Sequence, residues 1–186
     1  MSEAVYRTVK SSQVILKELM VPSYANFGGK VHGGIILSLM DKIAYTCAAT
    51  HAKGYCVTAS VDSVDFVNPV EVGDLLTLYA SVNYVGKSSM EVGIKVVSED
   101  FKQGIVKHTN TSYFTMVALN EETRKPCQVA GLQLEDEEEI RRFVMGKLRK
   151  KLRRAHQQEI TDIRRSLELG QAFSELEGEN CLVPKG

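Results

Sequence analysis

One long apolar helix followed by several alternating strands restricts the possible folds of this chain more than any other feature. The segment 35–52 is strongly apolar and follows a glycine-rich stretch. Its apolar residues recur at helical spacing: Ile36, Leu39, Met40, Ile43 and Cys47, with Ala44 and Ala48 beside them. Because apolar residues continue around most of the circumference, we expect a central core helix that is buried on several sides.

Strands are predicted before and after this helix. Residues 14–21 are rich in branched apolar side chains and end at Pro22. After Gly54 the apolar residues recur at every second position, as expected for strands with one buried face. The alternating apolar sets are Val57, Ala59 and Val61, followed by Val64 and Phe66; Leu76, Leu78, Ala80, Val82 and Tyr84; and Met90, Val92, Ile94 and Val96. A further strand is predicted over about residues 106–119.

The strands after the helix are joined by short turns, which indicates an antiparallel meander. The single apolar face of such a sheet must be covered, and the preceding helix is the element available to cover it. The predicted fold class is therefore α+β, with an antiparallel sheet wrapped around one long central helix and a C-terminal helical extension.

A change in composition predicts a second segment. Residues 135–139 are all acidic, and residues 141–154 include eight Lys or Arg side chains. Apolar residues recur every four positions in Ile140, Val144, Leu148 and Leu152, and Ile160, Ile163 and Leu167 extend this amphipathic helix past His156. We predict a globular domain over residues 1–131 and a charged helical tail over residues 132–186, with its last ~15 residues, from Ala172 onward, loosely ordered.

Composition and motifs exclude several classes of protein. Lys and Arg total 23, as do Asp and Glu, so the net charge gives no reason to expect a nucleic-acid partner. The N-terminus lacks the pattern of a secretion signal, and the longest apolar stretch, 35–49, is too short for a transmembrane segment. The four cysteines show no CxxC spacing, and no metal-ligand, GxSxG or P-loop motif occurs. We expect a cytoplasmic protein with reduced thiols and no metal.

The start of the apolar helix concentrates the residues that could perform chemistry. Gly33 and Gly34 lie where a loop becomes the helix, so their backbone N–H groups have no partner within it. Those donors and the positive end of the helix dipole can stabilise a carbonyl oxygen that gains negative charge. Asp41 lies about two turns further on, on the side of Ser38 and Tyr45. This semi-polar strip is predicted to face a cavity or an interface.

Each of these residues also has a purely structural interpretation, which the pattern leaves open. The pair Gly33 and Gly34 could serve helix packing alone. Asp41 could lie at a solvent-facing edge, and His32 could bond to the backbone of its own loop. Asn26 could be a turn-forming residue, as asparagine in a glycine-rich loop often is.

The segment NFGGKVHGGIILSLMD (residues 26–41) resembles the signature of the hotdog-fold acyl-CoA thioesterases. The subgroup it resembles is that of the cytosolic, brain-type acyl-CoA hydrolases and their small bacterial relatives. The resemblance extends through VTASVDSVDFVNPVEVGD (57–74) and YVGKSSMEVGIKV (84–96), and it covers roughly residues 12–120.

The resemblance implies a hotdog fold in which two protomers pair edge to edge and dimers assemble into a hexamer. It also implies active sites at the dimer interface, built from both chains. The catalytic asparagine of the family matches Asn26 and its catalytic aspartate matches Asp41, so Asn26 of one subunit is expected to face Asp41 of the other. The GKSS segment matches the region near the CoA phosphates, which predicts substrate contacts by Lys87, Ser88 and Ser89.

The implied activity is the hydrolysis of acyl-CoA to a fatty acid and CoA. Because a thioester carbonyl is electrophilic, no metal and no cofactor is expected, coenzyme A being part of the substrate. Asp41 is predicted to act as a general base on water or as a nucleophile, and Asn26 to orient the water or the thioester. The N–H groups of Gly33 or Gly34 are predicted to stabilise the oxyanion, with His32 nearby in the site.

Other functions remain possible. Hotdog hydratases and dehydratases use a histidine and an acidic residue, which His32 leaves open, although the spacing of the motif disfavours them. A non-catalytic acyl-CoA sensor of this fold would carry an N-terminal DNA-binding segment, and the stretch before the first predicted strand is too short for one. The basic tail is predicted to pack along the oligomer surface. CoA phosphates, an anionic membrane or a nucleic acid are its alternative partners.

Overall fold

The structure, a computed structural model, describes residues 5–184 and contains seven strands and three α-helices in that range. In chain order they are β1 (Tyr6–Thr8), β2 (Val14–Leu19), α1 (Gly33–Ala52), β3 (Cys56–Val61), β4 (Leu75–Val85), β5 (Ser89–Asp100), β6 (Ile105–Ala118), β7 (Gly131–Gln133), α2 (Glu137–Ser166) and α3 (Leu169–Ser174). The chain divides into two compact units between Gly146 and Lys147, within α2. The predicted domain boundary after residue 131 stays a prediction.

Five strands form one antiparallel sheet in the order β2–β4–β5–β6–β3. The predicted meander is confirmed for β4, β5 and β6, which are neighbours in the sheet and in the chain. Strand β3 lies at the far edge because it pairs with β6, with Cys56 opposite Ala118. Residues 62–74 then lead from that edge back to β4. They run past the start of α1, where the Val31 N–H donates to the Val70 carbonyl at 2.9 Å.

The core lies between α1 and the sheet, since α1 contacts all five strands. The buried side chains of α1 are Ile36, Leu39, Met40, Ile43, Ala44, Cys47, Ala48 and His51. The sheet contributes Leu76, Leu78, Ala80 and Val82 from β4, Met90, Val92, Ile94 and Val96 from β5, and Phe114 and Met116 from β6. The predicted α+β class, with an antiparallel sheet around one central helix, is confirmed.

One face of α1 is not buried. Leu37, Ser38, Asp41 and Tyr45 are all exposed in the protomer. The five strands bury the opposite side of the helix, and this face stays exposed in the protomer. The exposed face is the semi-polar strip around Asp41.

The alternating pattern also predicts the wrong face for the first half of β3, whereas Val61, after the register shift, lies opposite the buried Phe114 as a core-facing residue would. It places three residues toward the core: Val57, Ala59 and Val61. In the structure only Cys56 of this strand is buried. The register with β6 shifts between Thr58 and Ser60, and Thr58 lies opposite the fully buried Met116. The pairing with β6 therefore directs Thr58 toward α1.

A two-stranded parallel sheet joins the beginning and the end of the first unit. Strand β1 pairs with β7, with Tyr6 opposite Gly131. A Cβ atom at position 131 would lie 2.6 Å from two ring carbons of Tyr6, so only glycine permits this approach. The sequence does not predict this pair and places the first strand at Val14, because a three-residue strand is too short to show alternation.

His51 is a buried histidine whose protonation should couple folding to pH. Its Nε2 atom lies 3.0 Å from the Ala130 carbonyl oxygen. Burial lowers the pKa of His51, and the nearby Arg7 lowers it further, against the opposing effect of the Ala130 carbonyl. Below about pH 6.5 the unfolded chain binds a proton that the folded chain does not. The free energy of unfolding is therefore expected to fall with decreasing pH, by at most about 1.4 kcal/mol per pH unit from this residue.

Urea denaturation between about pH 7.5 and pH 5.5 measures this effect. His51→Gln should reduce the dependence on pH, even if it lowers stability at every pH. His108→Gln is the matched control, since His108 is exposed and should leave the dependence unchanged. If His51→Gln kept the full slope of the wild type, another group would be responsible.

The first turns of α2 are capped and pack on the sheet. Asp136 Oδ1 accepts a hydrogen bond from the Glu139 N–H at 2.8 Å. In return, the Glu139 carboxylate accepts a hydrogen bond from the Glu135 N–H at 2.7 Å. The ring of Phe143 packs against Tyr84, with 5.0 Å between centroids. A Cβ at Gly146 would lie 2.7 Å from the Tyr84 Cβ, so the absence of a side chain allows the helix to approach β4.

The second unit contains the remainder of α2 and the short helix α3. The predicted continuation of the amphipathic helix past His156 is confirmed, since α2 ends at Ser166. The prediction of loose order from Ala172 onward is wrong for residues 172–174, which belong to α3. There the Ala172 N–H donates to the Glu168 carbonyl at 2.9 Å and continues the helix. Among the helices of residues 5–184, none has the length and apolar character needed to cross a membrane.

Candidate active site

Asp41 lies on the exposed face of α1 and is held by a residue of β3. The Thr58 hydroxyl donates a hydrogen bond to Asp41 Oδ1 at 2.6 Å. Asp41 Oδ2 has no partner among the described residues. One carboxylate oxygen is thus fixed by a strand, while the other is available to a reactant.

Two open cavities border Asp41, one toward each end of α1. The polar cavity, of about 520 Å³, is lined mostly by side chains that carry polar groups: Asp41, Lys42, Tyr45, Thr46, Tyr55, Cys56, Val57 and Thr58. The apolar cavity, of about 610 Å³, is lined by Gly34, Leu37, Ser38, Asp41, Val61, Asp62, Val64, Phe66 and Phe114. Both volumes lie within the range of small-molecule sites. The carboxylate therefore stands between two spaces of different chemical character.

The start of α1 has one capped and one open N–H group. His32 is the N-cap residue, and its Nδ1 accepts a hydrogen bond from the Gly34 N–H at 2.9 Å. The Gly33 N–H has no acceptor among the described residues. The ring of Phe66 covers Gly33 so closely that a Cβ there would lie 3.3 Å from it. Of the two predicted donors, only Gly33 is available to a ligand in this arrangement.

Asn26 forms a turn within its own loop. Its Oδ1 accepts hydrogen bonds from the Gly28 N–H at 2.8 Å and the Lys30 N–H at 3.2 Å. The side-chain amide group has no acceptor among the described residues, so it can still donate to a reactant. Asn26 lines neither cavity, and no hydrogen bond joins it to Asp41 among the described residues. The neighbouring Phe27 is completely exposed.

The GKSS segment forms the turn between β4 and β5, as predicted. The Gly86 N–H donates to the Ser89 carbonyl at 2.7 Å. Ser89 lies opposite Val117 of β6, which in turn lies opposite Val57 of β3. The turn therefore lies at the end of the sheet where Val57 lines the polar cavity. Residues 87–89 themselves do not line that cavity.

Cys56 is a cysteine in the wall of the polar cavity, but its environment opposes nucleophilic chemistry. Burial raises the pKa of its thiol to about 11, with a further contribution from the nearby Cys127. The thiol is thus protonated at neutral pH, whereas a nucleophilic cysteine needs the thiolate.

No group of three or more His, Cys, Asp or Glu side chains suited to a metal ion occurs in the described part of the chain.

Comparison with known proteins identifies the family. The family model of the thioesterase superfamily matches residues 28–105. The uncharacterized acyl-CoA thioester hydrolase YkhA of Bacillus subtilis is 40% identical over 134 residues, covering 72% of this chain and 77% of that protein. This chain belongs to the thioesterase superfamily. Protein VdlD of Helicobacter pylori is another relative, 46% identical over 146 residues that cover 78% of this chain and 83% of VdlD.

Solved structures of this thioesterase family share the fold. The acyl-CoA hydrolase of Staphylococcus aureus, in complex with butyryl coenzyme A, coenzyme A and coenzyme A disulfide, has a TM-score of 0.77 at 32% identity, covering 86% of this chain and 97% of that one. An apo-hexameric acyl-CoA thioesterase has a TM-score of 0.78 at 35% identity, with coverage of 88% and 99%. Three further structures of the S. aureus hydrolase carry single alanine substitutions of a threonine, an asparagine and an aspartate.

Thr58 and the aromatic wall of the polar cavity are features of the site that the sequence patterns do not predict. In the sequence Thr58 has the position of an outward-facing polar residue in an alternating strand, and only the pairing with β6 reveals its direction. Tyr45 and Tyr55 meet edge to face with centroids 6.4 Å apart, and the Arg124 guanidinium lies 5.2 Å from the Tyr55 centroid. For Thr58, the signal available in the sequence is its position, a threonine 17 residues after Asp41.

Proposed function

We propose that this protein hydrolyses acyl-CoA thioesters to a free fatty acid and CoA. The observation that carries the proposal is the Asp41–Thr58 pair, placed between a polar and an apolar cavity. In the S. aureus hydrolase the substituted asparagine, aspartate and threonine are separated by 15 and 17 residues. Asn26, Asp41 and Thr58 have the same spacing in this chain. Equal residue types at equal spacing in a related chain support an equivalent site.

In the proposed reaction, Asp41 acts as a general base on a water molecule. The carboxylate takes a proton as the water oxygen attacks the thioester carbonyl, and the carbonyl oxygen becomes an oxyanion. The oxyanion then collapses, the carbon–sulfur bond breaks, and the CoA thiolate leaves with a proton returned by Asp41. The alternative is direct attack by the carboxylate, which forms an anhydride that water then opens. A single turnover in heavy-oxygen water tests for the anhydride, because water attack on its aspartyl carbonyl leaves the heavy oxygen in Asp41, whereas the general-base route labels only the fatty acid.

The oxyanion is proposed to bind the Gly33 N–H of the subunit that supplies Asn26, because Gly33 and Asp41 of one chain lie two helical turns apart. Gly34 is the weaker candidate because its N–H already donates to His32 Nδ1. We assign His32 the role of a cap that orients the first turn of α1, and no proton transfer. A single donor of this kind can be worth roughly 3–4 kcal/mol in the transition state.

Asn26 is proposed to act from the partner subunit of a homodimer. Within one protomer it lies outside both cavities beside Asp41, so a second chain is needed to complete the site. The complete exposure of Phe27 supports an interface at this loop, since a large apolar side chain is unfavourable in water. Assembly of dimers into a hexamer is proposed by analogy with the hexameric relative.

The CoA half of the substrate is proposed to occupy the polar cavity and extend toward residues 87–89. Lys42 lines this cavity, and Arg124 lies over its wall residue Tyr55. Lys87 lies at the same end of the sheet, where the GKSS turn connects β4 and β5. Cations at this end suit the phosphates of CoA.

Thr58→Val is expected to lower kcat by about tenfold to a hundredfold, because it removes a hydrogen bond to a charged group. KM should change little, since the hydroxyl acts on Asp41 and not on the substrate. Thr58→Ser keeps the hydroxyl and should retain near-normal kcat. Steady-state kinetics on one acyl-CoA measure both parameters. A Thr58→Val enzyme with wild-type kcat would show that the hydroxyl has no role in positioning Asp41.

The proposed function is tested by measuring thiol release from a series of acyl-CoA substrates, from acetyl-CoA to stearoyl-CoA. Release of CoA with catalytic turnover is the expected result. Addition of water to an enoyl-CoA without thiol release would favour a hydratase instead. Saturable binding of acyl-CoA without release or hydration would favour a sensor. The cytoplasmic location expected from the sequence stays a prediction.

A further inference from the structure

We infer that the second unit binds an anionic phospholipid surface through α2, with the helix lying in the plane of that surface. The segment concerned is residues 147–167, none of which lines either cavity beside Asp41. The inference is independent of the proposed function, because binding to lipid is measured without turnover.

Positive charge is concentrated at the start of this segment. Six of the eight residues 147–154 are Lys or Arg, and residues 140–158 contain no Asp or Glu. Three of the six cations are exposed: Lys147, Lys151 and Arg154. Burial lowers the pKa of Lys150, and the positive charges of Arg154 and Arg153 lower it further. The helix thus holds like charges close together, and a negatively charged surface offsets their repulsion.

Apolar side chains form a stripe along the same helix. Each is between 43% and 67% exposed: Leu148, Leu152, Ile160, Ile163 and Leu167. At about 100° per residue these five fall within an arc of about 120°, and Lys151 lies only about 60° from Leu148. A basic amphipathic helix of this kind places its apolar stripe between the headgroups and the acyl chains of a membrane. The long side chain of Lys151 can then extend to the headgroups.

Two other classes of partner match only half of this surface. A nucleic acid supplies negative charge but leaves the apolar stripe in water. A second copy of the helix covers the stripe but supplies no excess of negative charge. In the antiparallel alignment that places Leu148 opposite Leu167, residues 147–154 face residues 161–168, which contain two cations and two anions. Of the three partners, only an anionic lipid surface matches both the stripe and the cations.

Flotation of the full chain with lipid vesicles tests the inference. Vesicles of phosphatidylcholine alone are compared with vesicles that also contain about a quarter phosphatidylglycerol. The partition coefficient should be about a hundredfold higher for the anionic vesicles, since each of the three exposed cations contributes about fivefold. In about 1 M salt, where the Debye length falls to about 3 Å, most of this difference should disappear. Equal binding to both kinds of vesicle, or binding to neither, overturns the inference.

A charge variant locates the binding surface on the chain. It replaces the three exposed cations by another good helix former: Lys147→Gln, Lys151→Gln and Arg154→Gln. Its partition coefficient for anionic vesicles should fall about a hundredfold. The matched control replaces three exposed lysines of the first unit and changes the net charge equally: Lys102→Gln, Lys107→Gln and Lys125→Gln. The control should bind as the wild type does. If both variants lost binding equally, the net charge of the protein and not α2 would be responsible.

Leu152→Gln tests the apolar stripe, because Leu152 is its most exposed residue at 67%. The variant should bind anionic vesicles about tenfold more weakly, since a leucine side chain no longer leaves water. Phe101→Gln is the matched control, because Phe101 is 57% exposed in the turn between β5 and β6. It should bind as the wild type does. A Leu152→Gln variant with wild-type binding would show that the stripe does not enter the lipid.

The two rejected partners give results of their own. If the wild type binds no vesicles but binds an oligonucleotide, and the charge variant loses that binding, the partner is a nucleic acid. If the wild type binds no vesicles and Leu152→Gln reduces the size of the assembly in light scattering, the partner is a second copy of the helix. Either result overturns the inference and leaves the proposed function untouched.

Discussion

Asp41→Asn is expected to lower kcat for acyl-CoA hydrolysis by at least about a hundredfold, the usual contribution of a positioned general base. The asparagine keeps the size of the side chain and an oxygen that can accept from the Thr58 hydroxyl. What it loses is the ability to take a proton or to attack the thioester. Since Asp41 is exposed, the free energy of unfolding should change by no more than about 1 kcal/mol. Thiol release and urea denaturation of the same preparation measure both quantities.

Asp65→Asn provides the matched control for this experiment. Asp65 is an exposed aspartate in the connection between β3 and β4, so the same chemical change there should leave turnover unchanged. An Asp41→Asn enzyme that turned over at a near-normal rate would remove Asp41 from the mechanism. A folded Asp41→Asn enzyme that still bound acyl-CoA but did not turn over would agree with the catalytic assignment.

Mixing two inactive variants is expected to restore activity if the site is shared between subunits. Asn26→Ala and Asp41→Ala should each be inactive alone. In a mixed dimer, one of the two sites combines two altered residues and the other combines the intact Asn26 with the intact Asp41. Random co-assembly of equal amounts should then return about a quarter of the wild-type activity, because half of the dimers carry one intact site. Co-expression of the two chains with different affinity tags, followed by thiol-release measurement, tests this.

The control for complementation is co-assembly of Asp41→Ala with the double variant Asn26→Ala, Asp41→Ala. Every site in such mixed dimers lacks Asp41, so no activity should return. If purified mixed dimers of the two single variants also stayed inactive, Asn26 and Asp41 would not act across the interface. Recovery in the single-variant mixture alone would establish that the site needs both chains. The position of Asn26 outside both cavities of the protomer agrees with such a shared site.

Local periodicity was enough to predict the elements of the main sheet and its helix. The alternation in β4 and β5 identified the residues that prove to be buried, from Leu76 to Val82 and from Met90 to Val96. The spacing of Ile36, Met40 and Ile43 likewise identified the buried side of α1. These predictions succeed because side-chain direction within one strand or helix follows from the chain's own period.

The sequence by itself also placed Asn26, Gly33 and Asp41 in one short segment, since their spacing along the chain is local. Only the tertiary structure decided which groups meet them. The Thr58 hydroxyl reaches Asp41 because β3 pairs with β6 in a register that shifts after Thr58, and such a register depends on a strand more than 50 residues away. The capping of Gly34 by His32 depends on a rotamer, which the residue types leave undetermined. Contacts between distant segments, unlike periodicity, are a property of the packed chain.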